Sequence, residues 1–480
     1  MEEIYRKNIE SELKRMSSFL LNEDYVFEHP NFPINKCKLN LSKDIDKDVI
    51  DFKLQINSTI FPNDITFKKL GLNITSKIKS KQEFLYIPEK GVTQILAKTF
   101  IPTEILKGEI SSIYTASFPL KHNSFFRLIF KINEKYGLTN FLGSAYWCGK
   151  INYSLGLVIL EIDNNTFHVY RHRENEKTYL VIEVLNEISF DNFKISCDSI
   201  QKSIAFLNGN YHQDGHFFFS YSSANFEEIG SLYYKNFSNS VISDFELINP
   251  QQYRSYMEKP GENLKLTPLL FPENTLSNLV NFVKSKPQLE RTIELIIYGN
   301  EIRSPLIRCS TYSVALETIV SLVHSENKSV FKPLKKSKKI GKILLELQTV
   351  IDNSKSELSE QEFNFLSKKI TYLNMPFNKD KYLLAFDFYN IQLPEYLKKL
   401  LNTRNLFFHG KTPYEEGELN TRIQELHLEA DRIHMLVSIL VLKYVGYKGH
   451  IKNQAGYRVA MKNIYEDLNI ENDESAFYRI

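Results

Sequence analysis

The chain reads as an α+β protein, with a β-rich first half followed by an all-α second half, and three observations carry this. Up to about residue 250 the apolar residues come in brief β-branched and aromatic runs broken by Asn, Asp, Gly and Pro. Between residues 248 and 268, Asn249-Pro250, Lys259-Pro260-Gly261 and Thr267-Pro268 crowd chain breakers into a polar stretch. Beyond it the apolar positions recur at helical spacing. The boundary is placed in that stretch, giving domains of residues 1–258 and 259–480.

In chain order, an amphipathic start at residues 2–20 precedes strands expected at Ile113–Leu120, Phe125–Ile132, Asn152–Ile162, Thr166–His172 and Thr178–Val184. Asp163-Asn164-Asn165 has the short polar chemistry of a hairpin turn. Asp198 is a candidate cap for a short helix to Leu207, with Ile200, Ile204 and Leu207 on one face. Helices are expected at Ser277–Lys284, Pro287–Tyr298, Ser304–Ser325, Lys338–Asp352, Glu360–Leu373, Asp380–Phe388, Pro394–His409 and Leu419–Val445. Ser304-Pro305 and Pro394-Glu395 are starts with proline in the first turn, and Gly410 is a stop.

Of 480 residues, 42% are hydrophobic and 24% charged, enough for substantial cores. Sixty Lys and Arg against 57 Asp and Glu leave a net charge of +3, so any nucleic-acid contact must be local. The acidic start Met-Glu-Glu-Ile-Tyr is unlike a secretory signal, and the apolar run Leu436–Leu442 falls short of a membrane span of about 20 residues. A cytoplasmic protein with no membrane contact is the expectation. Cys37, Cys148, Cys197 and Cys309 contain no C-x-x-C pair and are expected reduced and mostly buried.

One helix carries an anomaly. Advancing about 100° per residue from Pro394, Leu397, Leu400, Leu401 and Phe408 form a stripe, and Arg404 falls in its middle. A guanidinium there costs several kcal/mol if unpaired. Asn405 and His409 are four apart and neighbours at the stripe's edge. Arg404 and His409 diverge by about 140°, so one helix aims both at one phosphate with difficulty, and a second copy of the helix would supply the missing partner. The chemistry that uses this set is RNA backbone cleavage without metal. A histidine moves protons near neutral pH, an arginine neutralises the phosphorane, and the 2′-hydroxyl attacks. The alternative is a buried ion pair between Arg404 and a carboxylate of a neighbouring helix, with His409 at a helix C-terminus.

The run Arg404-Asn405-Leu406-Phe407-Phe408-His409-Gly410 resembles the R-x(4–6)-H signature of HEPN ribonucleases in its form with Asn after Arg. The order of helices, including Ser304–Ser325 with Leu316-Glu317 and a long helix ending at Leu442–Tyr447, looks like the ApeA-like branch of that superfamily over roughly residues 270–455. The first half resembles the β-rich domain that precedes HEPN in ApeA-type anti-phage proteins. The resemblance implies a β-rich sensing or regulatory domain and a HEPN bundle that dimerises so that both motifs line one cleft. It implies metal-independent cutting of RNA, with transfer RNA the leading substrate, no cofactor, and activation during infection, with a phage-encoded activator as a candidate trigger. Arg404 then stabilises phosphate, Asn405 orients and His409 does acid–base work. Glu317 is the candidate acidic residue from an earlier helix, and Lys411 and Lys448 are candidate substrate-binding residues. A catalytically silent HEPN-like binding protein, and a carbohydrate- or peptide-binding β-sandwich fused to a bundle, stay open as alternatives.

Other constellations are weaker. His409-Gly410-Lys411-Thr412 mimics the tail of a Walker A loop but follows a helix, not a strand. His212, Asp214 and His216 are a candidate zinc or nickel set, against a polar turn. The lysines of Lys332–Lys339 read as phosphate contacts or as a solvated loop. Tyr444, Tyr447, Lys448, His450, Lys452, Tyr457 and Arg458 have a composition suited to stacking on single-stranded RNA, or are core aromatics with exposed charges. Arg171-His172-Arg173 is expected to face solvent, and no cysteine has the context of an activated thiol.

Overall fold

The structure is a computed structural model that describes residues 5–19, 24–28, 37–44, 49–56, 76–79, 84–87, 92–98, 104–110, 112–115, 118, 122–133, 138–148, 152–213, 215–236, 240–258, 264–331, 338–373, 378–408, 411, 414, 422–460 and 474–480. It divides into two units, Met1–Ser285 and Lys286–Ile480.

The first unit opens with β1 (Tyr5–Lys7) and α1 (Glu10–Ser18) and continues through β2 (Asp24–Glu28), β3 (Cys37–Asp44), β4 (Val49–Ile56), β5 (Ser76–Lys79), β6 (Phe84–Ile87), β7 (Val92–Lys98), β8 (Glu104–Ile110) and β9 (Ser112–Thr115). Then come β10 (Phe125–Ile132), β11 (Ser144–Cys148), β12 (Asn152–Ile162), β13 (Asn165–Glu174), β14 (Lys177–Val184), α2 (Phe190–Asn208), β15 (Asn210–Tyr211), β16 (His216–Tyr221), β17 (Ile229–Lys235), β18 (Val241–Ile242), α3 (Pro250–Met257) and α4 (Glu273–Ser285). Among the described residues one 16-stranded sheet runs β1-β11-β12-β13-β14-β10-β16-β17-β9-β6-β5-β2-β3-β4-β8-β7. Only the β1–β11 pairing is parallel. Asp163 and Asn164 (φ 48° and 64°) and Asn175 and Glu176 (φ 48° and 63°) turn β12 into β13 and β13 into β14. Two consecutive left-handed residues match the strands' twist, and Asn and Asp tolerate that conformation best.

Alternation along the strands gives each face its own cover. Phe126 and Phe218 meet Phe190 and Phe193 of α2 on one face. The opposite face carries Ile129, Tyr170, Val181, Phe217 and Tyr221, packed with Ile9 and Phe19 that flank α1. An ionic network is buried there: Arg127 donates to Glu183 through Nε (2.9 Å) and Nη2 (2.8 Å), and to Glu12 and Asn8 O through Nη1. Lys7 donates to Glu183 and lies 2.7 Å from His168 Nδ1, and the Tyr221 hydroxyl donates to Glu12 at 2.5 Å. Two cations balance two carboxylates, which is how buried charge is tolerated.

Two expectations need correcting here. The first-half helix begins eight residues before Asp198, at Phe190: Ser189 caps it by accepting from Asn192 N, and Gly209 ends it at φ 78°. Phe190, Phe193 and Cys197 extend the buried stripe that the shorter reading missed, and Asp198 pairs with Lys202 at 2.8 Å instead. The unit boundary falls after Ser285, not at 258/259. α4 belongs with the sheet because its side chains satisfy strand groups that no neighbouring strand reaches. Glu273, Ser277 and Asn281 accept from the backbone N–H of Ile159, Glu161 and Asp163.

The second unit contains α5 (Pro287–Glu301), α6 (Pro305–Glu326), α7 (Lys338–Asn353), α8 (Glu360–Tyr372), α9 (Asn378–Phe388), α10 (Glu395–Phe408), α11 (Ile423–Tyr444), β19 (His450–Lys452), α12 (Gln454–Ala460) and β20 (Phe477–Arg479). The helices fall where the apolar spacing places them, but the unit is not purely helical, because β19 and β20 pair antiparallel. α6 is its centre, packing against α5, α9, α10 and α11. By length and composition α6 would also cross a membrane, which the reading of Leu436–Leu442 overlooked, yet more than half of that apolar stretch is buried within the unit.

Candidate functional site

α10 buries Leu397, Leu400, Leu401, Arg404 and Phe407. The Phe407 carbonyl accepts from Ser310 Oγ on α6 at 2.6 Å, and the side chain of Phe408, expected on this stripe, lies outside the described residues. Arg404 is in the middle of this face, as its spacing requires, and only 5% of it is exposed. Its guanidinium carbon lies 3.4 Å from the centroid of the Tyr382 ring on α9. Nη1 donates to Leu401 O and to Asn405 Oδ1, each at 3.0 Å, and Nε has no hydrogen-bond partner. No carboxylate among the described residues pairs with it, so the ion pair of the alternative reading is not what holds this charge. A ring face and two neutral oxygens do, as a flat, weakly hydrated cation permits.

Around Arg404 stand groups that spacing along one helix does not reveal. Lys381 Nζ donates to Ser321 Oγ of α6 at 2.9 Å. Burial lowers the Lys381 ammonium, Glu317 opposes this and Arg404 reinforces it. Burial raises the Tyr382 hydroxyl, Arg404 opposes this and Glu317 adds to it. Glu317, exposed on α6, is therefore within electrostatic reach of both neighbours of Arg404. The backbone carbonyl of Lys381 lies 2.8 Å from His324 Nε2, and His324 stacks on Phe331 with centroids 4.0 Å apart. Arg404 lies on the Tyr382 ring with the Asn405 amide bonded to it, Lys381 is next to Tyr382 in the chain, and Glu317 acts on Lys381 and Tyr382 from α6. Lys381 and Tyr382 were missed because they lie more than 20 residues before Arg404, and only the packing of α9 on α10 joins them.

The remaining candidates are placed as follows. Asn405 is exposed beside Arg404. His409, Gly410 and Thr412 lie outside the described residues, as do residues 332–337 of the lysine run and Asp214 of the metal candidate. Lys411 is exposed, its N–H donating to Leu406 O at 2.9 Å. Lys448 is exposed beyond α11, where it bears electrostatically on Lys443. His216 is used within the fold: Nε2 lies 2.9 Å from Gln201 Oε1, and its ring stacks on Phe130 at 4.4 Å. Among the described residues no group of three His, Cys, Asp or Glu can hold a metal.

Much of the aromatic-basic stretch serves the fold. Tyr447 is buried with its hydroxyl donating to His450 O, Lys452 covers Tyr457, and Arg458 Nε is 3.3 Å from Asp431. Asp431 also accepts from Arg308 Nη2 at 2.9 Å, a buried ion pair the sequence reading missed.

His172, expected to face solvent, is buried instead. Its Nδ1 lies 2.5 Å from Cys148 Sγ and its Nε2 lies 3.3 Å from Glu174. Burial pushes the Cys148 thiol up to about 11 and lowers His172, so the resting pair is a neutral thiol donating to a neutral imidazole. Cys148 is expected to alkylate with iodoacetamide at pH 7 about 100-fold more slowly than a free thiol. Site-resolved mass spectrometry reads the rate, and labelling at the free-thiol rate would contradict this assignment.

No family model, no curated protein and no solved structure matches this chain.

Proposed function

We propose that the chain is a metal-independent endoribonuclease of the ApeA-like HEPN type, cutting RNA, with transfer RNA the first substrate to test. The observation that carries the reading is the buried Arg404 guanidinium that no described carboxylate neutralises, beside Asn405 and Lys381 and at the start of the run that ends in His409. The substrate's 2′-hydroxyl attacks the adjacent phosphorus and the 5′-oxygen leaves. Arg404 neutralises the equatorial oxygens and His409 moves the proton. The products are a 2′,3′-cyclic phosphate and a 5′-hydroxyl. A homodimer brings the two motif copies together, and the β-rich unit acts as the sensor in a cytoplasmic anti-phage, abortive-infection response triggered by a phage-encoded activator. Glu317, Lys411 and Lys448 are the substrate-binding candidates.

One observation favours a second reading, a catalytically silent binding and dimerisation protein. Arg404 is 5% exposed, with Nη1 held by its own helix, so its remaining N–H groups must be uncovered before phosphate can reach them. Purified protein incubated with total RNA separates the two. The nuclease yields cyclic-phosphate ends at the same rate with and without EDTA, and His409→Ala lowers that rate by about 100-fold or more without changing the oligomer. Cleavage unaltered in His409→Ala, or stopped by EDTA, would refute this mechanism.

A further inference from the structure

We infer that the α7–α8 hairpin is a self-docking surface, and that its partner is the same hairpin of a second copy of this chain, laid antiparallel to form a four-helix bundle. The two helices are joined by a short connection and pack on each other as an αα-hairpin. Among the described residues neither helix has a fully buried side chain. Ile340, Leu344 and Ile351 of α7 and Phe363 and Ile370 of α8 are half-buried, marking the inner seam. Ile343, Leu347 and Val350 lie about 60° to one side of that seam on α7, and Leu366 and Leu373 lie on the corresponding side of α8. Antiparallel helices turn these flanks to the same face of the hairpin. All five are exposed, Val350 at 63% and Leu373 at 52%. Spacings of three, four and seven on α7, and of seven on α8, are those by which helices interdigitate in bundles.

Charge selects the occupant. The open end of the hairpin carries Lys339, Lys342, Lys368 and Lys369, and the connected end carries Asp352, Glu357, Glu360 and Glu362, with Lys355 the exception, while Glu346 at the middle of α7 pairs with Lys342. Like charges are thus gathered at each end of the hairpin. A second hairpin placed antiparallel on the apolar face sets the basic end of each copy beside the acidic end of the other, twice, about a two-fold axis. Such self-complementarity is what an isologous interface requires. The inference names the surface for the dimer assumed above, but it stands on the hairpin alone and its readout involves no RNA.

Sedimentation of the full chain at tens of micromolar is expected to give twice the chain mass. The double variant Leu347→Glu/Val350→Glu is expected to weaken the dimer by at least about 100-fold with an unchanged circular dichroism spectrum. Because core-like substitutions can perturb folding, a second pair uses exposed charges only. Lys368→Glu/Lys369→Glu and Glu357→Lys/Glu360→Lys should each sediment as monomers, and their equimolar mixture should recover the dimer. A monomeric parent, including one whose hairpin face is protected from hydrogen exchange by its own chain, would overturn the inference. So would a dimer that survives the two leucine and valine substitutions, or charge variants that fail to rescue each other. RNA cleavage by a chain that dimerises elsewhere would leave the nuclease reading intact while this one fails.

Discussion

Arg404→Lys is expected to lose RNA cleavage by about 100- to 1,000-fold, nearly as much as Arg404→Ala, although the charge is kept. A lysine ammonium cannot lie flat on the Tyr382 ring, nor can one nitrogen serve Leu401 O and Asn405 Oδ1 while others remain for phosphate. The effect should fall on kcat more than on KM, because the guanidinium's role is to meet charge that develops only in the transition state. Tyr382→Phe keeps the ring and should retain most activity, whereas Tyr382→Ala removes the platform and should approach the Arg404 variants. Cleavage kinetics on a defined RNA with thermal unfolding of each variant tests this. An Arg404→Lys enzyme within about threefold of the parent would mean that any positive charge suffices and that the planar geometry plays no part.

Glu183→Ala is expected to destabilise the first unit by about 3–5 kcal/mol. Removing this carboxylate leaves Arg127 and Lys7 buried against Glu12 alone. The same group confers acid sensitivity. Burial alone would raise Glu183, but the Arg127 guanidinium, the His168 hydrogen bond and Lys7 outweigh it and hold the carboxyl well below the usual carboxylate range. A depressed folded-state pKa stabilises above the unfolded value of about 4.3, and that contribution is lost as pH falls toward the folded value. Urea unfolding from pH 7 downward should therefore show the parent losing stability in acid and Glu183→Gln losing less. A variant within about 1 kcal/mol of the parent at pH 7 would show that the network contributes little net stability.

The helices of the second unit were legible because each buries a stripe whose period is set by the helix itself. Phe125–Ile132 and Asn152–Ile162 were legible for the corresponding reason in strands. The anomaly at Arg404 was also readable, since a charge on an apolar stripe needs only one helix to be noticed. What surrounds it was not. Tyr382, Lys381 and Glu317 come from two other helices, and nothing in local spacing says that α9 lays its ring under α10. The Glu183 network was hidden for the same reason, because its members lie on β1, α1, β10, β13, β14 and β16 and each looks locally like a tolerated polar residue in a strand or surface helix. His172 was misjudged because an Arg-His-Arg run reads as solvent-facing, yet alternation along β13 sends its middle residue to the opposite face from its neighbours. Ser189 was passed over as a cap because the aromatic cluster that Phe190 and Phe193 join on the sheet becomes visible only once the strands are paired.

On the proposed mechanism, Arg404 of one chain and His409 of its twin converge on one scissile phosphodiester. Mixing two inactive variants tests this most directly. Arg404→Ala and His409→Ala are each expected to be silent alone, and co-refolding them in equal amounts should restore cleavage with cyclic-phosphate ends, because the mixed dimer assembles one complete site from the guanidinium of one chain and the imidazole of the other. A mixture as silent as its components, beside an active parent, would contradict convergence across the two chains.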